Sequence, residues 1–563
     1  MDKPWVKFYE GGVPDTIDLP NITLVDIFNQ AVSGNPGGTA IWFSGARLAY
    51  REFGRHVDQI AIALSRLGVR SGDRVAIMLP NTPHYPIVHF AALKLGAILV
   101  PTNPLYVERE IKYQFNNSDA ETAVVLDFLF PRVEKIKNET GLKNIILTSI
   151  RDYLPPILKL LYPVKAKRDG NWVKVRRGPG IHHYSELLSE KFPIGLPGAS
   201  IKPEDPAMLL YTGGTTGFSK GAILSHRNLV ANVLQTRSWF TQCHDGREVL
   251  LCALPFFHSY GLTTGLHMAI LIRSTMVLVP NPRDIAMVLR TIHKTRATMF
   301  SGVPTMYVAI NNFPDISKYD ISSIKACVSG SAPLPVAVAR KFEALTGGKL
   351  VEGYGLSEAS PVTHVNPING RRKEGSIGVP VPNTDAMIVD PETKSPLPAG
   401  EVGELAVSGP QVMQGYWKLQ EETEKMLKNG WLYTGDMGKM DDDGYCYIVD
   451  RKKDMIIAGG FNIFPREIEE VLFEHPQILE AAVIGVPDEY RGETVKAYIV
   501  CKPGQSLTAE EVVHFCREKL ASFKVPRLIE FRETLPKSNI GKVLKRVLTD
   551  EEKKRPVDFA KPV

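Results

Sequence analysis

One segment of the chain has the residue types that hold phosphate groups. Between residues 211 and 221 there are four glycines, three threonines and one lysine. Glycines let the backbone turn and expose N–H groups, threonine hydroxyls add donors, and the lysine adds positive charge. A Walker A loop is excluded, because Gly217 is not followed by Lys and then Ser or Thr. We therefore predict a phosphate-binding hairpin loop, with a plain glycine-rich turn as the alternative, formed by Thr212, Gly213, Gly214, Thr215, Thr216, Gly217 and Lys220.

The elements that must position this loop alternate between two periods. Up to about residue 358, apolar residues at helical spacing alternate with short apolar strands, predicted at residues 74–79, 97–100, 123–127, 144–148, 249–254, 276–280 and 325–329. Strands joined by helical crossovers predict an α/β fold with a largely parallel sheet. After Arg372, short strands separated by Gly and Pro predict a β-rich subdomain. A further helix at Pro465–Phe473 belongs to a predicted small α+β C-terminal domain.

The length of the chain also predicts more than one domain. A single hydrophobic core stops growing near ~250–300 residues, and this chain has 563. We place a large N-terminal domain with several subdomains at residues 1–450 and the C-terminal domain at residues 451–563.

Further motifs follow the glycine-rich loop in order. They are LPFFH (254–258), GSAP (330–333), GYGLSE (353–358), GWLYTGD (430–436), DRKKD (450–454) and PKSNIGK (536–542). Together with the loop they resemble the acyl-adenylate-forming enzymes, which include acyl-CoA synthetases, firefly-type luciferases and nonribosomal-peptide adenylation domains. The resemblance extends from about residue 23 to residue 542. From residue 353 onward the sequence is most similar to the bacterial long-chain fatty acid:CoA ligases.

The resemblance implies a nucleotide site. Glu358, a hard oxygen ligand at the end of a glycine-rich turn, would bind Mg²⁺ bridging the triphosphate, and Ser357 would contact phosphate. Tyr354 would pack against adenine, and Asp436 and Arg451 would bind the ribose hydroxyls. The remaining cofactor-binding candidates are Gly330, Ser331, Ala332, Glu352, Gly353 and Gly355. The alternatives are a surface acid for Glu358, a core tyrosine for Tyr354, and structural ion-pair partners for Asp436 and Arg451.

Three further residues receive catalytic roles through the resemblance. Lys542 would stabilise charge at the attacking carboxylate and the α-phosphate, Lys220 would bind phosphate, and His258 would gate the acyl pocket. In isolation, a solvated lysine and a structural histidine are the alternatives for Lys542 and His258. The family rotates a mobile C-terminal domain about a hinge that matches Lys453, and the rotation exchanges Lys542 for a loop containing Gly459 and Gly460, which admits the pantetheine thiol of coenzyme A.

The excess of positive charge is concentrated in one segment. The chain has 67 Lys and Arg and 61 Asp and Glu, and residues 151–178 contain eight of the former and two of the latter. This segment carries the whole excess of six, which argues against a nucleic-acid partner. It is either a solvated loop or a peripheral membrane contact, since each base near an anionic surface adds roughly 1 kcal/mol. Pro155, Pro156 and Pro163 are expected to break any long amphipathic helix here.

The expected location of the protein in the cell rests on two sequence patterns that are not seen. The sequence has no apolar run of the roughly 18 uncharged residues that a spanning helix needs. Its first residues also have no signal-peptide pattern. We expect a cytoplasmic protein, with a peripheral membrane contact and a homodimer both left open.

The implied activity is that of a fatty acid:CoA ligase. It would use a fatty acid, ATP, Mg²⁺ and coenzyme A, pass through an acyl-adenylate, and release pyrophosphate and AMP, with long-chain acids as the favoured substrates. A ligase for medium-chain or aryl acids, a carrier-protein ligase and a luciferase-like enzyme are alternatives. An inactive nucleotide-binding regulator is disfavoured, because Lys220, Glu358, Asp436, Arg451 and Lys542 are all present.

Overall fold

The structure is a computed structural model of the chain. It describes residues 3–173, 175, 177–190, 198–212, 219–451, 454–458, 461–488, 491–538 and 543–555, with only the backbone at residues 451, 461 and 462. Among the described residues, no helix is both long and apolar enough to cross a membrane.

Helices lie between most of the strands. They are α1 (Leu24–Gly34), α2 (Tyr50–Arg66), α3 (His84–Lys94), α4 (Glu108–Ser118), α5 (Phe130–Ile136), α6 (Pro156–Arg168), α7 (Tyr184–Ser189), α8 (His226–Trp239), α9 (Ser259–Gly261), α10 (Met268–Leu271), α11 (Ile285–Thr295), α12 (Pro304–Asn311), α13 (Val336–Thr346), α14 (Gln420–Met426), α15 (Pro465–Phe473), α16 (Ala509–Arg517) and α17 (Lys545–Lys554). A π-helical turn, Leu262–His267, joins α9 to α10.

Most of the strands are short. Those before residue 303 are β1 (Thr39–Phe43), β2 (Ala46–Ala49), β3 (Arg74–Met78), β4 (Ile98–Pro101), β5 (Ala120–Leu126), β6 (Asn144–Thr148), β7 (Ile181–His183), β8 (Pro206–Thr212), β9 (Lys220–Ser225), β10 (Val249–Cys252), β11 (Thr275–Leu278) and β12 (Met299–Gly302). The next are β13 (Ala326–Ser329), β14 (Lys349–Gly355), β15 (Val362–Val365), β16 (Val379–Pro380), β17 (Asp385–Val389), β18 (Gly403–Ser408), β19 (Gly415–Tyr416), β20 (Leu427–Lys428), β21 (Trp431–Met440) and β22 (Cys446–Arg451). The last are β23 (Ile456–Ala458), β24 (Phe461–Ile463), β25 (Ile478–Asp488), β26 (Gly492–Cys501) and β27 (Leu528–Phe531).

Two large sheets contain most of these strands. Within the described ranges one has nine strands in the order β16-β15-β14-β13-β12-β10-β11-β1-β2, and the other has eight in the order β19-β9-β8-β4-β3-β5-β6-β7. The strands run parallel from β14 to β1 and from β8 to β7. The α/β class is therefore confirmed, and all seven predicted strands are present. Strand β12 was not predicted, because its four residues have no alternation and no turn residue before them.

The rest of the chain forms two smaller sheets. One contains β17, β18, β20, β21 and β22, which confirms the β-rich subdomain, and the other contains β23 to β27. Around the second sheet, two clusters of buried apolar side chains contain only residues from Ile456 onward. A separate C-terminal core agrees with a boundary near residue 450, and that boundary stays a prediction.

The basic segment differs from its prediction, because residues 156–168 form the helix α6. Pro156 occupies the first turn, where a missing N–H costs nothing. Pro163 lies inside the helix and donates no hydrogen bond to the carbonyl of Lys159. Arg151 Nε donates to that carbonyl instead, at 3.1 Å. The prolines therefore do not prevent a helix of 13 residues here, and the segment is not the plain loop that the sequence had left open.

Parallel pairing brings several motifs to one edge. Strands β10, β12, β13 and β14 are neighbours, and Ser329 pairs with Glu352. The motifs that begin at Leu254, Gly330 and Gly353 therefore lie at or just beyond the carboxyl ends of adjacent strands, the usual position of ligand sites in such sheets.

Candidate active site

The predicted phosphate loop connects two antiparallel strands. Thr212 at the end of β8 pairs with Lys220 at the start of β9. The strand after the loop confirms that the loop does not precede a helix. Residues Gly213, Gly214, Thr215, Thr216 and Gly217 lie outside the described residues, so their contacts with phosphate stay a prediction.

Glu358 is a buried carboxylate at the meeting point of three chain segments. Its side chain is 9% exposed and lies just after β14. Thr212 Oγ1 donates to Glu358 Oε1 at 3.4 Å, and Tyr416 OH donates to the same oxygen at 2.7 Å. The Met413 N–H donates to the Glu358 carbonyl at 2.8 Å. The alternative of a surface acid is therefore wrong.

Lys220 is held by residues of the chain segment that contains Tyr416. It forms an ion pair with Glu422 of α14, and its Nζ lies 5.4 Å from the centroid of the Tyr416 ring. Hydrogen bonds from Lys220 and Lys425 lower the pKa of Glu422 to about 2. Tyr416 thus contacts both the candidate metal ligand and the phosphate-site lysine. Neither Tyr416 nor Glu422 was predicted, because a tyrosine in the two-residue strand β19 and a glutamate in a charged helix have no distinctive spacing.

The candidate adenine and ribose residues are joined by a hydrogen bond. Tyr354 OH donates to Asp436 Oδ2 at 2.5 Å, and Asp436 is 5% exposed. Asp436 on β21 pairs with Arg451 on β22, which brings the two predicted ribose ligands together. The side chain of Arg451 is not described, so its hydrogen bonds stay a prediction.

The glycines at this edge are required by close approaches. A Cβ on Gly330 would lie 3.0 Å from the ring of Tyr260, whose hydroxyl donates to the Val328 carbonyl at 2.8 Å. A Cβ on Gly355 would lie 1.9 Å from the carbonyl oxygen of Pro361. The remaining residues of the two motifs are Ser331, which is exposed with φ of 69°, half-buried Ala332 and half-buried Gly353.

The side chain of Glu352 is buried and has protein partners. Its carboxylate is 8% exposed, accepts from the Leu334 N–H at 3.2 Å and lies 3.8 Å from Arg466 Nη2. Burial raises the pKa of Glu352 to about 7, and the Arg466 guanidinium acts in the opposite direction. These partners hold the carboxylate in place, and the predicted cofactor contact of Glu352 stays a prediction.

His258 lies directly before α9. Its neighbour Ser259 has its Oγ 3.2 Å from Ser357 Oγ, so the histidine is close to the candidate phosphate contact. Burial lowers the pKa of His258 to about 4, and the imidazole is neutral at pH 7. Leu254 and Gly261, on either side of His258 in the sequence, line a small gap of about 10 Å³ together with Thr264, Gly265, Phe300 and Ser301, among others.

A second cavity, of about 590 Å³, is separate from these residues. It lies between α2, α7 and the residues before α6, with Arg47, His56, Tyr153 and Lys159 in its lining. None of the predicted site residues lines it, so volume alone does not identify the site here.

The donor set at Glu358 fits Mg²⁺. Within the described part of the chain, no group of three or more His, Cys, Asp or Glu could hold a metal ion. Glu358 and Thr212 instead offer a carboxylate and a hydroxyl oxygen. Mg²⁺ prefers oxygen ligands and is commonly bound through one or two carboxylates together with substrate phosphates.

The remaining predicted residues are not tested by this geometry. The hinge Lys453, the loop glycines Gly459 and Gly460, and Lys542 all lie outside the described residues. One buried group was missed by the sequence: Ser329 Oγ, at the end of β13, has no hydrogen-bond partner among the described residues and lies directly before Gly330.

The chain is similar to proteins of known family. The model described as "AMP-binding enzyme" matches residues 28–417, and "AMP-binding enzyme C-terminal domain" matches residues 467–542. A long-chain-fatty-acid–CoA ligase of Bacillus subtilis (strain 168) is 46% identical over 551 residues, 98% of each chain. Crystal structures of ATP-bound and apo MatB from Rhodopseudomonas palustris are 31% identical and cover 95% of this chain and 99% of MatB. Their TM-scores are 0.83 and 0.73, respectively.

The Tyr416 hydroxyl is predicted to strengthen nucleotide binding. Tyr416→Phe keeps the ring beside Lys220 but leaves the buried Glu358 without its shortest hydrogen bond. Because partners that orient a metal-binding carboxylate typically contribute about 10–100-fold to metal affinity, we expect the Kd for Mg·ATP, measured by calorimetry, to rise about tenfold or more.

Tyr447→Phe is the matched control, since its hydroxyl donates to Asp441, outside the candidate site. Its Kd should stay at the wild-type value. An unchanged Kd for Tyr416→Phe would contradict the role of the hydroxyl.

Proposed function

Because the chain belongs to the AMP-binding enzyme family, we propose that it is an ATP-dependent ligase that joins long-chain fatty acids to coenzyme A. The near full-length identity with the Bacillus subtilis ligase is the observation that carries this proposal. The site supports it, because a buried carboxylate, a phosphate-loop lysine and a Tyr–Asp pair lie at one edge of the sheet.

The first step forms an acyl-adenylate. A carboxylate oxygen of the fatty acid attacks the α-phosphorus of ATP, and the bond to pyrophosphate breaks. Lys220 binds the phosphates once it leaves Glu422, while Tyr354 and Asp436 orient the adenosine. Mg²⁺, when bound at Glu358, supplies positive charge to the triphosphate oxygens. Lys542 stabilises the charge that develops at the α-phosphate.

The second step transfers the acyl group to coenzyme A. The thiol sulfur attacks the carbonyl carbon of the adenylate, the bond to the AMP oxygen breaks, and the thiol proton is lost to solvent. No protein nucleophile is required, because the phosphate has already activated the carboxyl group. Rotation of the C-terminal domain about Lys453 brings the loop with Gly459 and Gly460 to the site in place of Lys542.

The segment around His258 is the proposed start of the acyl pocket. Leu254 and Gly261 line a small gap whose lining is mainly hydrophobic, with Thr264 and Ser301 as polar exceptions. Its volume of about 10 Å³ does not hold a long acyl chain, so the pocket has to open when the acid binds. The neutral imidazole of His258 adds no charge nearby, which favours an uncharged acyl chain over a second carboxylate.

Product analysis tests the proposed activity. Purified protein with ATP, Mg²⁺, coenzyme A and fatty acids of graded length is expected to yield acyl-CoA and AMP, with a maximum at long chains. A maximum at medium-chain or aryl acids would favour the corresponding ligase. Adenylate without thioester would favour a carrier-protein ligase or a luciferase-like enzyme, and ATP binding without turnover would favour a regulator.

Lys542 is expected to act in one step only. Lys542→Ala should slow ATP–pyrophosphate exchange about 100-fold to 1,000-fold, because one electrostatic contact to the transition state is lost. Acyl-CoA formation from supplied acyl-adenylate should keep its wild-type rate. Lys554→Ala, at the exposed end of α17, is the control. Equal loss in both steps would contradict a role confined to adenylation.

We also propose that α6 contacts an anionic membrane surface. Ile157, Leu160 and Val164 are 74%, 75% and 71% exposed and occur at helical spacing, so they share one face. Lys159, Lys165, Lys167 and Arg168 on the same helix are exposed and positively charged. Basic side chains are attracted to anionic lipids, and the exposed apolar side chains would be buried at such a surface, which is also where long-chain fatty acids reside. A cytoplasmic location and a homodimer stay predictions.

Vesicle co-sedimentation tests the membrane contact. The wild-type protein should bind vesicles containing phosphatidylglycerol, and Leu160→Asp with Val164→Asp should remove most of this binding. Neutralising Lys167 should weaken it about fivefold, the equivalent of roughly 1 kcal/mol. Val402→Asp, at an exposed apolar residue elsewhere, is the control. Absence of wild-type binding at low salt would contradict the proposal.

A further inference from the structure

Arg466 connects the C-terminal segment to the part of the chain before residue 451. It lies in the first turn of α15 and is 8% exposed. Its N–H donates to Asp450 Oδ2 at 3.0 Å, and its Nη1 donates to the Ile448 carbonyl at 2.6 Å. Its Nη2 lies 3.8 Å from Glu352 Oε1. Only Glu470, which accepts from Nε at 3.1 Å, belongs to the same helix.

The partner of Arg466 belongs to the candidate nucleotide site. Glu352 lies in β14, two residues before Tyr354, and its second oxygen accepts from the Leu334 N–H. Leu334 follows the motif that begins at Gly330. One carboxylate therefore joins the loop after β13, the strand that contains Tyr354, and a guanidinium from the C-terminal segment.

These contacts link residues on opposite sides of the predicted hinge, Lys453. A rotation about residue 453 moves Arg466 relative to Ile448, Asp450 and Glu352, so the contacts form in one arrangement of the domain and break in another. Breaking them leaves a buried carboxylate without its cation, which is costly in a protein interior. The ATP-bound and apo MatB structures cover the same share of this chain, but their TM-scores to it differ, 0.83 against 0.73.

We propose that Arg466, through Glu352, is a latch that stabilises one arrangement of the C-terminal domain and thereby sets the balance between the two half-reactions. The inference rests on the proposed ligase activity. Arg466 is a positioning residue, since it contacts neither substrate nor the reacting atoms. Loss of the latch shifts the population of domain arrangements and changes the ratio of the half-reaction rates.

Separate assays of the two half-reactions test the latch. ATP–pyrophosphate exchange measures adenylation, and acyl-CoA formation from supplied acyl-adenylate measures thioester formation. For Arg466→Ala, we expect the ratio of the two rates to change about tenfold or more, with one rate lowered and the other unchanged or raised. Arg466→Lys, which keeps the charge but loses the planar fork, should restore part of the wild-type ratio.

Two further variants separate the latch from general damage. Lys524 forms an ion pair with Glu467, which lies in α15 as Arg466 does. Lys524→Ala removes this ion pair without changing a contact to β14, so the variant should keep the wild-type ratio. Glu352→Gln should change the ratio in the same direction as Arg466→Ala, and the double variant should add little to either single change. Melting temperatures verify that each variant is folded.

The outcomes distinguish this inference from the proposed function. A wild-type protein that forms no adenylate contradicts the ligase proposal itself. An active wild-type protein whose Arg466→Ala variant loses both rates by the same factor, or neither, contradicts the latch alone. Additive effects of Arg466→Ala and Glu352→Gln would contradict action through Glu352.

Discussion

The candidate site depends on burying one carboxylate where the two large sheets meet. Glu358 follows β14 of the nine-stranded sheet, and Thr212 and Tyr416 belong to β8 and β19 of the eight-stranded sheet. A buried carboxylate is stable only with hydrogen-bond donors or a cation. The two sheets must therefore meet in a register that places both hydroxyls on one oxygen, and the same register places Lys220 beside Tyr416.

Helix α8 maintains that register with buried amide side chains. Asn232 donates to the Val362 carbonyl at 2.7 Å and accepts from the Val362 N–H at 3.0 Å. Gln235 donates to the Pro382 carbonyl at 2.8 Å, and Asn228 donates to the carbonyls of Pro410 and Val412 at the same distance. A helix cannot pair with neighbouring backbone as a strand does, so these side-chain amides form the hydrogen bonds between α8 and residues 362–412. They hold residues 362–412 against the helix, and thereby fix the positions of Glu358 and Tyr416.

The C-terminal segment is attached differently. Its buried apolar clusters contain only its own residues, and Arg466 attaches it through a few polar contacts to β22 and β14. The two large sheets share one buried apolar cluster, whereas the C-terminal segment has clusters of its own. A rotation of that segment during the reaction stays a prediction.

The sequence determined the fold class and the local candidates, because hydrophobic period, glycine spacing and motif order are properties of neighbouring residues. The seven strands predicted up to residue 329 and the helix at Pro465–Phe473 were found in this way. Glu358, Tyr354 and Asp436 were identified through the resemblance of their motifs to a family, and their roles stay predictions. Tyr416, Glu422 and Arg466 could not be found from the sequence, since their roles depend on partners 58, 202 and 114 positions away in the chain. The helix α6 was missed for a local reason: Arg151, eight positions before Lys159, donates to the carbonyl that Pro163 leaves without a backbone donor. Composition and spacing thus decided which residues could do chemistry. Only the tertiary structure decided which of them contact the same carboxylate or the same cation, or lie at the same edge of a sheet.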